Sequence, residues 1–387
     1  MFYPILSRIV REYFEKLESQ LLAPYAVKSI SSYGRSFDEP PSLTRTCFQR
    51  DRDRIVHSKS FRRLKDKTQV FISNVSDHYR SRLTHTIEVA QISRHLARLL
   101  RLNEDLAECI AFAHDLGHSP FGHSGEDELN NLLKNYGGFE HNLHSLRIVE
   151  EIEQKYPYFS GLNLSYEVKE GLKKHETPWD NPNQHHSYIT LEAQVANIAD
   201  EIAYNNHDID DGLSSGILSI DDLIKHVDLF KQANKTISHD YSNLQYHERT
   251  HLINSAIISQ QVMNAYQTSL AHIEKYRIGS LDDLQHIAKP LISFDKSLTK
   301  HNKELRTYLY QHFYQSPSIV NLNDYGKNTI NTIFSFLLTK PEFVPTSFLN
   351  LHYHHGYSRE LMIGYFIAGM TDNYASRFCQ IHGLNSN

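Results

Sequence analysis

An all-α fold is predicted. Apolar residues recur at alternating spacings of three and four, as in Val89, Ile92, Leu96 and Leu99, which is the period of a helix with one buried face. Glycine and proline number only 16 and 12 in 387 residues, and the strongest breaks fall between periodic segments. There is little of the apolar–polar alternation that marks a strand.

The elements follow in order. Residues 1–20 read as an amphipathic helix, and Pro40-Pro41 marks a loop. Residues 44–70 are rich in arginine and lysine. The stretch 83–102 is helical by its period. A second helix begins after Asn103, a good N-cap, with Glu104 and Asp105 suiting the positive end of its dipole. It is expected to stop at Gly117 by a left-handed turn. Ser119-Pro120-Phe121-Gly122 reads as a turn, and the next helix begins near Ser124. A loop at Gly137-Gly138 precedes a helix through 143–152. Residues 177–186 are polar and turn-rich. Thr190 caps a helix running to about Asp208. Helical patterns dominate 221–355, broken near Gly279, Pro290, Pro317, Pro341 and Pro345, and a last long pattern covers 360–380.

At this length the chain exceeds one ordinary domain and has room for two helical lobes. With 40 basic and 45 acidic side chains its formal net charge is −5, so the surface as a whole does not suit a polyanion, although a local basic site is compatible. The three cysteines, Cys47, Cys109 and Cys379, lie far apart. That argues against a disulfide framework and a cysteine zinc site, and fits a reducing compartment. No signal-peptide core and no run of about 18 apolar residues is found, so no membrane span is expected. The expected location is cytoplasmic.

The chemistry gathers around two histidines. His85 lies four residues before Val89 and shares its core-facing stripe. Leu106, Ile110 and His114 are spaced by four, so His114 also points inward. One inward histidine is commonly a core residue with both ring nitrogens satisfied. Two on sequential antiparallel helices, with Asp115 beside one of them, make a candidate metal site. Downstream, LGHSPFGHSGE places His118 one turn after His114, and His123 three residues before Glu126 on one helix face. A carboxylate beside an imidazole raises its pKa and orients it, which suits proton transfer. In the helix from Thr190, Val195, Ile198 and Ile202 form the apolar stripe. Asp200, Tyr204, His207 and Asp208 form a second face, and an aspartate at Asp200 is costly to bury unless it is paired or bound to metal.

His85, then His114-Asp115, then Asp200 resemble the H…HD…D signature of HD-domain phosphohydrolases. The segments FRRLKDKTQVF, RLTHTIEVAQ, HDLGHSPFGHSGE, GGFEHN and NIADEIAYNNHDIDDG resemble, more closely, the bacterial deoxyguanosinetriphosphate triphosphohydrolase family, as does IAGMTDNYA near the C-terminus. The resemblance runs from about Ser32 to Arg377. It implies an HD-domain helical core with an additional C-terminal helical region, and cleavage of a deoxynucleoside triphosphate to deoxynucleoside and intact triphosphate. The metal ligands are then His85, His114, Asp115 and Asp200. Mixed nitrogen and oxygen ligation suits manganese, iron or cobalt, and magnesium can serve if it retains waters. His123, supported by Glu126, is the candidate for protonating the departing 5′-oxygen, although the residues leave open its acting as base or attacking group. Arg82, three residues before His85, forms a triphosphate clamp with His118, and His141 lines the phosphate pocket. By resemblance Tyr204 is a steric gate against ribonucleotides, with Gln69 and Asp208 on the 3′-hydroxyl. Tyr365 and Asp372 belong to the matching C-terminal stretch and equally suit packing roles.

The expected organisation is a helical and basic segment at 1–60, a metal-dependent core at 61–215 and a helical region at 216–387 that completes the site and oligomer contacts. A homo-oligomer, tetramer or hexamer, and a second deoxynucleotide acting as activator are compatible with the family. Rival readings keep the metal site but change the substrate, to a deoxynucleoside monophosphate or a cyclic nucleotide. Another makes the protein a regulator that binds nucleotides or nucleic acid through residues 45–67. Asp51 and Asp53 dilute that basic run, and nucleic acid is not expected as a substrate.

Overall fold

The computed structural model describes residues 10–70, 80–173, 189–241, 243–287 and 289–384, without the side chains of 352–354. Helices make up nearly all of its regular structure. Among the described residues, extended pairing is limited to three isolated bridges, such as Thr68 with Ser81. The all-α expectation holds.

The first half contains α1 (Val10–Leu21), α2 (Cys47–Val56), α3 (Lys59–Arg63), α4 (Arg82–Leu99), α5 (Glu104–Ala113), α6 (Gly122–Leu132), α7 (His141–Arg147), α8 (Tyr166–Gly171) and α9 (Leu191–Ser214). Six of these start on side-chain caps, α2, α3, α4, α5, α7 and α9. Ser81, Asn103 and Thr190 accept the backbone N–H groups of Thr84, Leu106 and Ala193, each cap contributing about 1 kcal/mol. Then come α10 (Ile220–His226), α11 (Asp228–Asp240), α12 (Tyr246–Lys275), α13 (Lys296–Leu309), α14 (Pro317–Thr339), α15 (Thr346–His355), α16 (Arg359–Ala368) and α17 (Asp372–Ile381). A single wide helical turn, Tyr310–Tyr314, continues α13.

Helices α4, α5 and α9 pack on one another at the centre. Val89, Leu96, Ala107, Val195 and Ile202 from these helices join Phe230, Ile253, Leu305 and Phe313 from the second half in one buried cluster. Leu106 and Ile110, on another face of α5, pack instead with Phe48, Ile55 and Val168. A third cluster joins Leu129 and Leu133 of α6 to Ile330, Ile333, Ile363 and Phe378. Each fully buried Leu, Ile or Phe contributes about 1.5–3 kcal/mol, so α5 is held on two sides and α6 is held by the C-terminal helices.

Several boundaries depart from expectation. The second helix ends at Ala113, and His114–Gly117 form the following turn. Gly117 is absent from the left-handed residues; its lack of a side chain serves close packing, because a Cβ there would sit 2.2 Å from the His141 carbonyl oxygen and 2.3 Å from the Ser145 nitrogen. In the turn that follows, the left-handed residues are Phe121 and Gly122, with φ of 62° and 61°. The helix expected through 143–152 is α7 followed by a wide turn, Ile148–Ile152. Helix α9 continues past Asp208 to Ser214. The expected long C-terminal helix is two, α16 and α17, because Thr371 caps a new start by accepting from Tyr374. Residues 1–9 of the first expected helix and the stretch 177–186 lie outside the described residues. Among those described, no helix is long and apolar enough to cross a membrane.

Candidate active site

Three elements supply the centre of the site. His85 sits in the first turn of α4, His114 and Asp115 follow α5, and Asp200 lies midway along α9. His85 Nε2 is 3.1 Å from Asp200 Oδ1 and 3.7 Å from Asp115 Oδ2. His114 Nε2 is 3.2 Å from Asp115 Oδ1 and 3.5 Å from Asp200 Oδ1. His85, His114 and Asp115 are buried, with ligand atoms all within 4.8 Å of one another. The four residues read as ligands from the sequence therefore converge.

The donor set fits a divalent cation. His114 Nδ1 is 2.6 Å from the Ala111 carbonyl oxygen and donates to it. In a neutral ring that leaves a lone pair on Nε2, facing two carboxylate oxygens. Acceptors facing acceptors in a buried site repel unless a second ring proton or a cation lies between them. Two imidazole nitrogens and two carboxylates are the ligand chemistry of manganese, iron, cobalt or zinc. Burial alone would raise the Asp115 carboxyl, but His114, His118 and Arg82 outweigh it and hold the group well below the usual carboxylate range. The Arg82 guanidinium is itself buried and lies 3.2 Å from Asp115 Oδ2.

The turn after Asp115 builds the next wall. Ser145 Oγ of α7 donates to the His114 carbonyl and accepts from the Gly117 N–H, each at 2.8 Å. This joint brings α7 onto the turn. The rings of His118 and His141 stack at 3.8 Å, and His118 Nε2 approaches Asp115 Oδ1 at 3.1 Å. Glu126 Oε1 accepts from both the backbone N–H and Nδ1 of His141, at 2.9 and 2.8 Å. Its Oε2 faces His123 Nδ1 at 3.7 Å and His118 Nδ1 at 3.9 Å. Burial opposes ionisation of Glu126, but these histidines prevail and hold it well below the usual range. Burial, Arg82 and His141 push the His118 imidazole well below its ordinary value, against the pull of Asp115. The His123 side chain is 60% exposed, open to an incoming molecule, with its ring 6.4 Å from that of Tyr204.

On the far side, the Tyr314 hydroxyl donates to the Asp208 carboxylate and lies 2.7 Å from the Tyr204 hydroxyl. Burial pushes Tyr204 above its ordinary value. Asp208 is pushed up to about 8, first by burial, although its bond to Tyr314 favours the ionised form. The Gln69 side chain is buried, with Oε1 outside any hydrogen bond, and its backbone carbonyl would lie 3.5 Å from a Cβ on Gly122.

Some residues at the site carried no assigned role in the sequence. Tyr314 sits 110 residues from Tyr204, with no local motif to single it out. His207 lies on the polar face of α9, and its Nδ1 is 3.0 Å from His85 Nδ1. Lys67 donates to the carbonyls of His118 and Ala368. Asp372 accepts from the Thr68 N–H and hydroxyl and from the Phe121 N–H, which makes it a fastening of the turn. Tyr365 is buried and packs its ring against His144 and Arg147.

The HD domain family model matches residues 82–205, and the phosphohydrolase-associated domain matches residues 292–381. Fold and site together define a metal-dependent phosphohydrolase. Among similar proteins is a deoxyguanosinetriphosphate triphosphohydrolase-like protein of Geobacter metallireducens, 42% identical over 92% of this chain and 93% of the relative. Proteins of that description from Syntrophus aciditrophicus and Brucella melitensis are also each 42% identical, over 94% and 92% of this chain and 94% of each relative. The chain belongs to the deoxyguanosinetriphosphate triphosphohydrolase-like family.

Proposed function

We propose that the protein hydrolyses deoxynucleoside triphosphates to deoxynucleoside and inorganic triphosphate, by attack of water at the α-phosphorus. The observation that carries this reading is the convergence of His85, His114, Asp115 and Asp200 beside an exposed His123 backed by Glu126. A divalent cation held by the four residues would polarise the α-phosphate and lower the pKa of a bound water. The oxygen of water bonds to phosphorus, releasing one proton to solvent, as the bond to the 5′-oxygen breaks. His123 then hands its proton to the departing 5′-oxygen, and Glu126 holds the ring in place.

Arg82, His118 and His141 lie on the phosphate side, where guanidinium and imidazole N–H groups pair with phosphate oxygens. Tyr204 closes the space beside sugar C2′, and Asp208 and Gln69 receive the 3′-hydroxyl. Tyr314 joins this group, since its hydroxyl reaches both Tyr204 and Asp208. The names of the relatives favour this substrate class over a nucleoside monophosphate or a cyclic nucleotide. The working form is a homo-oligomer in the cytoplasm, with a second deoxynucleotide as a candidate activator.

The test is a screen of the four deoxynucleoside triphosphates, singly and in pairs, with manganese, cobalt or magnesium. Tripolyphosphate and nucleoside in equal amounts are expected. Orthophosphate or pyrophosphate as the product would overturn the reading. Activity confined to pairs would identify the activator, and light scattering with and without nucleotide reports the assembly.

A further inference from the structure

Beyond the four-residue cluster, a chain of hydrogen bonds runs outward from His85. Its Nδ1 lies 3.0 Å from His207 Nδ1, with the two rings meeting edge to face at 5.1 Å. His207 Nε2 in turn contacts Glu88 Oε2. Glu88 is one turn beyond His85 on α4, and Arg80 Nε stands 3.4 Å from its Oε1. Both histidines are buried, and the Glu88 side chain is 37% exposed.

The proton positions follow from the partners. A carboxylate only accepts, so His207 must donate from Nε2 to Glu88. A neutral His207 then carries a lone pair on Nδ1, and the hydrogen there has to come from His85. With its proton on Nδ1, and a cation in place of the proton that Asp200 Oδ1 could otherwise accept at 3.1 Å, His85 offers the cation a lone pair on Nε2, the atom that faces Asp115 and Asp200. Reversing the chain would set an N–H of His85 against the position a cation needs.

We propose that Glu88 and His207 are positioning residues that lock His85 in the tautomer and ring orientation required of a metal ligand. The inference rests on reading His85, His114, Asp115 and Asp200 as a metal site. Partners of this kind, outside the ligand set, typically change metal affinity about 10–100-fold when removed. The residues belong to two helices and are separated by 122 positions at the central joint, so no local motif exposes the relay.

The test titrates metal-stripped, full-length protein with Co2+, following its visible ligand-field absorption, alongside thermal unfolding of the metal-free forms. His207→Leu should weaken Co2+ binding by about 10–100-fold and alter the absorption band. His207→Asn, whose side-chain oxygen can still accept from His85 Nδ1, should recover most of the affinity. Wild-type affinity and spectrum in His207→Leu would overturn the proposal. Equal losses in His207→Leu and His207→Asn would overturn it too, since packing and not the hydrogen bond would then be at work. If His207→Leu fails to fold, Glu88→Leu at the half-exposed outer end carries the test. A several-fold loss of affinity supports the relay, and unchanged affinity overturns it. Failure of the underlying reading has a separate signature, which is His114→Ala binding Co2+ as the wild type does.

Discussion

Asp208 has a carboxyl buried away from water whose pKa is pushed up to about 8, with burial the leading cause. In an unfolded chain the same group ionises near about 3.9. The folded state therefore holds the proton across the window from about pH 4 to 8, and stability is lost as pH rises through it. Asp208→Asn should flatten the fall in melting temperature between pH 5 and 8. A pH profile parallel to that of the wild type would show that the carboxyl is ionised in the folded protein. At the reacting end of the pocket, His123→Ala should keep metal affinity and lose turnover by about 10²–10⁴-fold. Near-normal turnover in that variant would remove its acid role. The two residues differ in legibility. His123 and Glu126 share a helix face three residues apart, so their pairing is written in the local sequence. The Asp208–Tyr314 bond joins residues 106 apart, and only packing reveals it.

Among the elements, the joint between the turn and α7 does the most to shape the site. Gly117 lets the backbone of α7 approach so closely that a Cβ would meet the His141 carbonyl oxygen at 2.2 Å. Gly117→Ala must push α7 outward, separating the stacked rings of His118 and His141. Overpacking of this kind costs about 1–3 kcal/mol. The expected result is a lower melting temperature together with reduced turnover, and a fully active Gly117→Ala enzyme would count against α7 as a wall of the site. The sequence marked Gly117 as special for a different reason, a left-handed helix end. That error has a physical cause, because glycine serves both positive φ and close approach and a single sequence cannot separate them. Periodicity succeeded for His85 and His114 because α4 and α5 each bury a regular stripe. It failed along 360–380, where two helices have compatible periods, the first ending at Ala368 with Gly369 as its C-cap and the second starting on Thr371.

Across the whole molecule, the C-terminal helices are tied to the turn that follows Asp115. Lys67 bridges the carbonyls of His118 and Ala368, and Asp372 bridges Thr68 and Phe121. Phe121 holds a left-handed φ of 62°, a conformation that persists only where the surroundings enforce it. Asp372→Ala leaves buried N–H groups unpaired, at about 1–3 kcal/mol each. It should lower the melting temperature and turnover while Co2+ affinity stays close to wild type, since the proposed ligands sit on α4, α9 and the end of α5. A parallel collapse of metal affinity would show that the C-terminal region shapes the metal site itself. The need for this distant support was not legible beforehand, because Ala368 and Asp372 lie 251–304 residues from Lys67, Thr68 and Phe121 and no local pattern pairs them.

The central claim is that the His85, His114, Asp115 and Asp200 cluster drives metal-dependent release of intact triphosphate. The most direct measurement strips the protein of metal, restores Mn2+ or Co2+ in the presence of mixed deoxynucleoside triphosphates, and follows tripolyphosphate by phosphorus NMR. Tripolyphosphate should appear only with metal and be absent in His114→Ala and Asp200→Ala. Equal release without metal, or full release by either variant, would contradict the claim.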